Sequence, residues 1–299
     1  MTDSLLKPRT LDSFSLANKV CVVTGAARGL GLEFCRAFIG SGCTTLALLD
    51  LRASELDQAV QDLLDYSAES WGIKQGDLKV IGLPCNVTSE ADVIAAMNSV
   101  IDAFGHIDVV VASAGIVENY SALDYPTERH KLLFDINVNG VFYTAREAAR
   151  RMIPSKSGSI ILVASMSANI VNVPQLQTPY NASKAAVKHM ASSLAVEWAP
   201  HNIRVNSLSP GYMLTKLTRT ILEEDKELKV TFHNLWPSFE FVVNASARQD
   251  TWEKMTPMKR MGDPEDLAAS IGAVVFMASD ASKFMTGSEI RVDGGYCAI

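Results

Sequence analysis

The sequence predicts an α/β fold: a doubly wound, seven-stranded parallel sheet with helices on both faces, in a single domain. Three observations carry this. Seven short apolar runs, at about 20–24, 44–50, 79–84, 108–112, 159–164, 203–208 and 289–292, alternate with longer segments of helical period at about 29–41, 53–70, 89–104, 127–153, 178–199 and 264–278. Parallel neighbours need crossovers of a dozen or more residues, which those segments supply. The runs VCVVT, LALLD and IDVVVA are apolar throughout instead of alternating, as strands covered on both faces require.

Composition narrows the function. The 299 residues are 48% hydrophobic and 20% charged, enough apolar material for one large core. A net charge of −6, from 27 basic and 33 acidic residues, offers no cationic footprint for nucleic acid. No apolar run approaches the ~18–20 residues that span a bilayer, and no basic stretch followed by an apolar one opens the chain. The expectation is a cytoplasmic protein without a membrane partner. The five cysteines form an odd set without a Cys-x-x-Cys pair, which reads as reduced thiols and neither a disulfide framework nor a zinc site. His106, His130, His189, His201 and His233 show no ligand spacing, so no metal is expected. Residues 1–18 lack periodicity and read as a surface-hugging or partly mobile arm. The domain then covers 19–299.

The first strand runs into Thr24-Gly25-Ala26-Ala27-Arg28-Gly29-Leu30-Gly31, which opens the first helix. Gly25 permits a tight turn, Gly29 lets the backbone approach a pyrophosphate, and Gly31 lets the helix pack on the sheet. The free N–H groups of the helix start face the anion. This is a Rossmann-like arrangement, although the spacing is Gly-x-x-x-Gly-x-Gly and not Gly-x-Gly-x-x-Gly. An ordinary strand-to-helix turn would read similarly. Asp50 ends the second strand, where its carboxylate can accept from ribose hydroxyls and repel a 2′-phosphate. That favours NAD over NADP, with Arg28 and Arg52 softening the preference. A helix-start carboxylate is the plainer reading of Asp50.

Tyr180 and Lys184, four apart in a periodic segment, project from one face of a helix. In isolation they would be a half-buried tyrosine and a surface lysine. Reduction of a ketone by hydride leaves an alkoxide to protonate, and the reverse oxidation needs a base. A tyrosine serves both if its pKa falls from ~10 to about 7, roughly 4 kcal/mol. One ammonium about 4 Å away at an effective dielectric near 20 supplies ~4 kcal/mol, and a cationic nicotinamide would add to it.

With these motifs the chain resembles the short-chain dehydrogenase/reductase family over about residues 18–299. The resemblance assigns Ser165, at the end of the strand Gly158-Ser-Ile-Ile-Leu-Val-Ala-Ser165, to orienting the substrate oxygen, with Ser167 as competitor. It makes Asn137, in Asp135-Ile-Asn137-Val-Asn-Gly140, the fourth catalytic residue beside Ser165, Tyr180 and Lys184. For the cofactor it implies Gly25, Arg28, Gly29, Leu30, Gly31 and Asp50, then Asn86 and Val87 near the adenine. Ala114 and Gly115 after the fourth strand complete this half, with Ser113 standing where relatives carry asparagine. At the nicotinamide end it implies Pro210, Gly211 and Thr215 together with Tyr180 and Lys184.

The stretch 165–180 is similar to fungal polyol dehydrogenases and ketose reductases acting on arabinitol, mannitol, sorbose and xylulose. Asn169, Asn172, Gln175 and Gln177 offer amides for a polyhydroxylated chain, or form a polar loop beside the pocket. A lid and an unusual insert fall at about 212–250. About 21 residues there look inserted, either an enlarged lid with Phe232, Trp236, Phe239 and Phe241 or a retained intron. The implied function is NAD(H)-dependent interconversion of a secondary alcohol, such as arabinitol, and its ketone. A ketoreductase for bulkier apolar ketones and a non-catalytic NAD-binding regulator are the alternatives. A homo-oligomer, dimer or tetramer, is expected by resemblance.

Overall fold

The computed structural model describes residues 12–214, 228–230, 241–243, 245–268 and 272–299. The strands β1 (Val20–Thr24), β2 (Thr45–Asp50), β3 (Lys79–Pro84), β4 (Val109–Ala112), β5 (Gly158–Val163) and β6 (Ile203–Pro210) are joined by helices. These are α1 (Gly29–Gly40), α2 (Ala53–Trp71), α3 (Glu90–Phe104), α4 (Thr127–Phe134), α5 (Val141–Met152) and α6 (Thr178–Trp198). Short strands β7 (Leu228–Val230) and β8 (Phe241–Val243) pair antiparallel, followed by α7 (Ala245–Met255), α8 (Pro264–Ala268), α9 (Ala273–Ala278) and β9 (Glu289–Val292).

The main sheet has seven parallel strands in the order β3-β2-β1-β4-β5-β6-β9. Its continuous apolar runs follow from burial on two sides: in β1, Cys21 and Val23 enter one apolar layer while Val20 and Val22 enter the other. Phe34 and Phe38 of α1 and Leu56 and Leu63 of α2 cover the first face. Met97 of α3, Ala145 of α5 and Val187 of α6 cover the second. The chain order reverses between β1 and β4, and the crevice at that switch point is where this architecture places ligands.

Two expectations change. The predicted helix at 127–153 is interrupted by a π-helical turn, Asp135–Gly140, between α4 and α5. The segment at 264–278 divides into α8 and α9. Of the expected arm, residues 1–11 lie outside the described residues, and 12–18 pack on the domain: Leu16 is fully buried, its N–H donates to the Ser41 carbonyl at 2.8 Å, and Phe14 packs on Phe276. Most of the insert, and the side chains of β7 and β8, lie outside the described residues.

Candidate active site

The C-terminal ends of β1, β2, β4, β5 and β6 carry the candidate residues to one edge of the sheet. Gly25 and Gly29 have φ of +67° and +60°, in the left-handed region. A Cβ on Gly31 would stand 2.2 Å from the Gly25 carbonyl oxygen, and one on Gly25 would stand 2.8 Å from the Ala114 Cα. Gly29 faces open space, so bare backbone is offered there. Arg28 occupies the N-cap of α1 without capping it through its side chain, whereas Ser89 caps α3 by accepting from the Asp92 N–H. The first turn of α1, beginning at Gly29 and Leu30, thus keeps N–H groups for an anion. These features fit a dinucleotide. Asp50 is tied to the same turn, its carboxylate accepting from the Ala27 N–H at 3.0 Å and the Leu51 N–H at 2.7 Å.

Thr24 closes the turn from behind. Its buried hydroxyl accepts from the N–H groups of Ser113 and Ala114 at 3.1 and 3.3 Å, clamping the end of β4 against β1. Its position immediately before Gly25 was the signal for this role. Asn86 turns its oxygen onto Thr88, accepting from its N–H at 3.1 Å, and Val87 fills the space in front of Gly140.

Around the end of β5 the structure brings Asn137, Ser165, Tyr180 and Lys184 together. Asn137, fully buried in the π-turn, donates to the Ile116 carbonyl at 2.9 Å and to the Ser183 hydroxyl at 3.1 Å, while accepting from the Ile116 N–H at 2.8 Å. It therefore anchors the loop that carries Gly115, whose missing Cβ would sit 3.2 Å from the Asn137 Oδ1 and 3.4 Å from the Lys184 Nζ. Lys184 is 4% exposed and donates to the Val163 carbonyl at 2.9 Å. Burial pushes its ammonium down to about 8.

Ser165, and not Ser167, is the neighbour that bears on the phenol, acting against the burial that raises the Tyr180 pKa, and Ser167 stands behind with its Oγ 3.1 Å from that of Ser165. The expectation that Lys184 alone depresses the phenol is corrected. Burial pushes Tyr180 above its ordinary range, and the Ser165 hydrogen bond is the opposing influence. The Lys184 Nζ lies 5.7 Å from the Tyr180 ring centroid, with its charge already committed to the Val163 carbonyl.

Pro210 ends β6, and Gly211 follows it against the loop after β9, where a Cβ on Gly211 would be 2.7 Å from the Asp293 Cα. Thr215 lies outside the described residues. The loop amides, read as polyol ligands or as a polar loop beside the pocket, have partners within the protein. Asn169 donates to Glu289 at 2.6 Å, and Asn172 and Gln175 donate to the Tyr212 hydroxyl at 3.0 and 2.8 Å. All five cysteines are free, four of them buried. Among the described residues no group of three or more metal-ligating side chains occurs, and no helix is long and apolar enough to cross a membrane.

Comparison with known proteins agrees with this geometry. The family model described as short chain dehydrogenase matches residues 19–226, and one described as Enoyl-(Acyl carrier protein) reductase matches 235–297. The chain is 37% identical over 289 residues to D-arabinitol 2-dehydrogenase [ribulose-forming] of Candida tropicalis, covering 95% of this chain and 94% of the relative. It is 35% identical over 291 residues to the NADP-dependent mannitol dehydrogenase of Hypocrea jecorina, covering 96% of each. Its structure superposes on a short-chain type dehydrogenase/reductase from Mycobacterium marinum with a TM-score of 0.81 at 35% identity, covering 96% of this chain and 98% of the other. The protein belongs to the short-chain dehydrogenase/reductase family. It is an oxidoreductase acting on CH–OH groups, in a family that uses NAD(P).

Proposed function

We propose that this enzyme uses NAD(H) to interconvert a sugar alcohol, arabinitol being the example favoured by resemblance, and the corresponding ketose. The convergence of Tyr180, Ser165, Lys184 and Asn137 beside an anion-binding turn is the observation that supports this most. Tyr180 donates its phenolic proton to the substrate oxygen during reduction and takes a proton from the alcohol during oxidation. Ser165 hydrogen-bonds that same oxygen and acts against the burial that raises the phenol, while Lys184 braces the Val163 carbonyl at the end of β5 behind it. Asn137 holds the loop of Gly115 and, through Ser183, the first turn of α6. Gly115, Pro210 and Gly211 would hold a nicotinamide, which would supply or accept the hydride; Thr215, implied there by the resemblance, lies outside the described residues. Gly25, Arg28, Gly29, Leu30, Gly31 and Ala114 would hold the remainder of the cofactor, with Asp50, Asn86 and Val87 on the adenosine side. Residues 19–299 act as one unit, in the cytoplasm and as a homo-oligomer on the strength of the family resemblance.

The test is a panel of pentitols, hexitols and bulky apolar alcohols with NAD and with NADP, following the absorbance of the reduced cofactor. Fastest turnover is expected with a polyol and NAD. Turnover restricted to the apolar alcohols would replace the reading with a ketoreductase for bulkier substrates. Cofactor binding without turnover of any substrate would make the chain a non-catalytic regulator.

A further inference from the structure

A buried polar network that the proposed reaction does not use begins at Tyr212, the residue after Pro210-Gly211. Its ring lies flat on the indole of Trp252, centroids 4.2 Å apart and planes at 11°, and Trp252 is only 5% exposed. The Tyr212 hydroxyl accepts from Gln175 Nε2 at 2.8 Å and from Asn172 Nδ2 at 3.0 Å, while the Trp252 indole N–H donates to Gln175 Oε1 at 3.2 Å. The chain of bonds continues inward. Gln177 Nε2 donates to Asn172 Oδ1 at 2.8 Å and to Asn181 Oδ1 at 2.9 Å, and lies 3.5 Å from the Ser167 hydroxyl.

This network joins three segments that are far apart in sequence: the loop after β6, helix α7 at the end of the lid region, and the loop leading into α6. It ends on the first turn of α6, where Gln177 and Asn181 bracket Tyr180, and it touches Ser167, which backs Ser165. Buried amides and hydroxyls hold their energy only while their partners stay in place, so such a network specifies geometry more sharply than an apolar filling of the same space.

We propose that Tyr212 is a positioning residue: its ring stacks on Trp252 of α7 while its hydroxyl holds Asn172 and Gln175, so one side chain links α7 to the 172–177 loop, whose Gln177 end flanks Tyr180 and backs Ser165 through Ser167, and thereby fixes the two hydroxyls relative to each other. Docking of α7 and assembly of the proton-transfer pair are thereby coupled through one side chain. The inference rests on the reading of Tyr180 as the proton-transfer group.

Tyr212→Phe tests it by keeping the ring stack and removing the hydroxyl. The expected result is a fall in kcat of about tenfold with KM changed by less than about threefold. The ionisation limb for alcohol oxidation should also move to higher pH, because a displaced Ser165 no longer lowers the Tyr180 pKa. Gln177→Met should reproduce both effects, and the double variant should be little worse than either single one. If Tyr212→Phe does not fold, Gln175→Met removes an amide that donates to the Tyr212 hydroxyl and is read in the same way. A folded variant with unaltered kcat and pH profile overturns the proposal, as do losses that multiply in the double variant. Tyr180→Phe assayed alongside separates the two readings: turnover retained there refutes the proton-transfer assignment itself. An inactive Tyr180→Phe beside an unaffected Tyr212→Phe refutes only the positioning role.

Discussion

Burial and hydrogen bonding pull the Tyr180 phenol in opposite directions, and burial wins, leaving it above the ordinary tyrosine range. The proton-bearing form then prevails at neutral pH, which suits the donor needed for ketone reduction. Oxidation should accelerate as pH rises and reduction should slow over the same range; parallel profiles in the two directions would contradict the assignment. Replacing Tyr180 with Phe should lower kcat by at least about 10²-fold while NADH binding, read by fluorescence, is retained. Lys184 carries a stability cost of its own. Its pKa of about 8 lies below the ordinary lysine value, so the unfolded chain binds the proton more tightly and folding is penalised by about 3 kcal/mol at pH 7. The penalty is full below pH 8 and fades as pH rises toward the unfolded value of ~10.4. Lys184→Met should therefore raise Tm at pH 7 by about 2–5 °C, less whatever the unpartnered Val163 carbonyl costs, while losing activity. Scanning calorimetry at pH 7 and pH 10 should show the gain shrinking at the higher pH.

The π-turn at Asp135–Gly140 shows where helical periodicity stops being informative. A repeat of apolar positions reports which face of a helix is buried, but one widened turn shifts the phase without erasing the pattern, so 127–153 reads as one helix. Asn137 sits in that turn and makes three hydrogen bonds to residues outside it, two with the Ile116 backbone and one with Ser183 of α6. Asn137→Ala would strand both backbone groups of Ile116 and should cost about 2–4 kcal/mol in urea unfolding. The glycine turn behaves differently, because its constraint is local and visible in the residues themselves. Gly31→Ala places a Cβ 2.2 Å from the Gly25 oxygen, so α1 must retreat from the turn. A loss of about 1–3 kcal/mol in stability is expected, together with weakened cofactor binding by titration; unchanged affinity would show that the turn does not carry the pyrophosphate.

On the scale of the molecule, one parallel sheet gathers the candidate site at its C-terminal edge, where the strands end at or just before the candidate residues. Thr24, Asp50 and Pro210 are themselves the last residues of their strands, while Ala112 leads to Gly115 and Val163 to Ser165. On the proposed reading of Asp50 as the carboxylate that selects the cofactor, Asp50→Ser should raise the NADP to NAD ratio of kcat/KM by about tenfold or more, and an unchanged ratio would contradict that role. The alternation of strands and helices, the glycine turn and the Tyr180/Lys184 spacing were legible in the chain because each depends on residues within a few turns of one another. The direction of the Tyr180 pKa, the engagement of Asn172 and Gln177 inside the protein and the Tyr212–Trp252 stack were not. Those depend on segments separated by tens of residues, whose polar groups acquire partners and lose water only when packing brings them together.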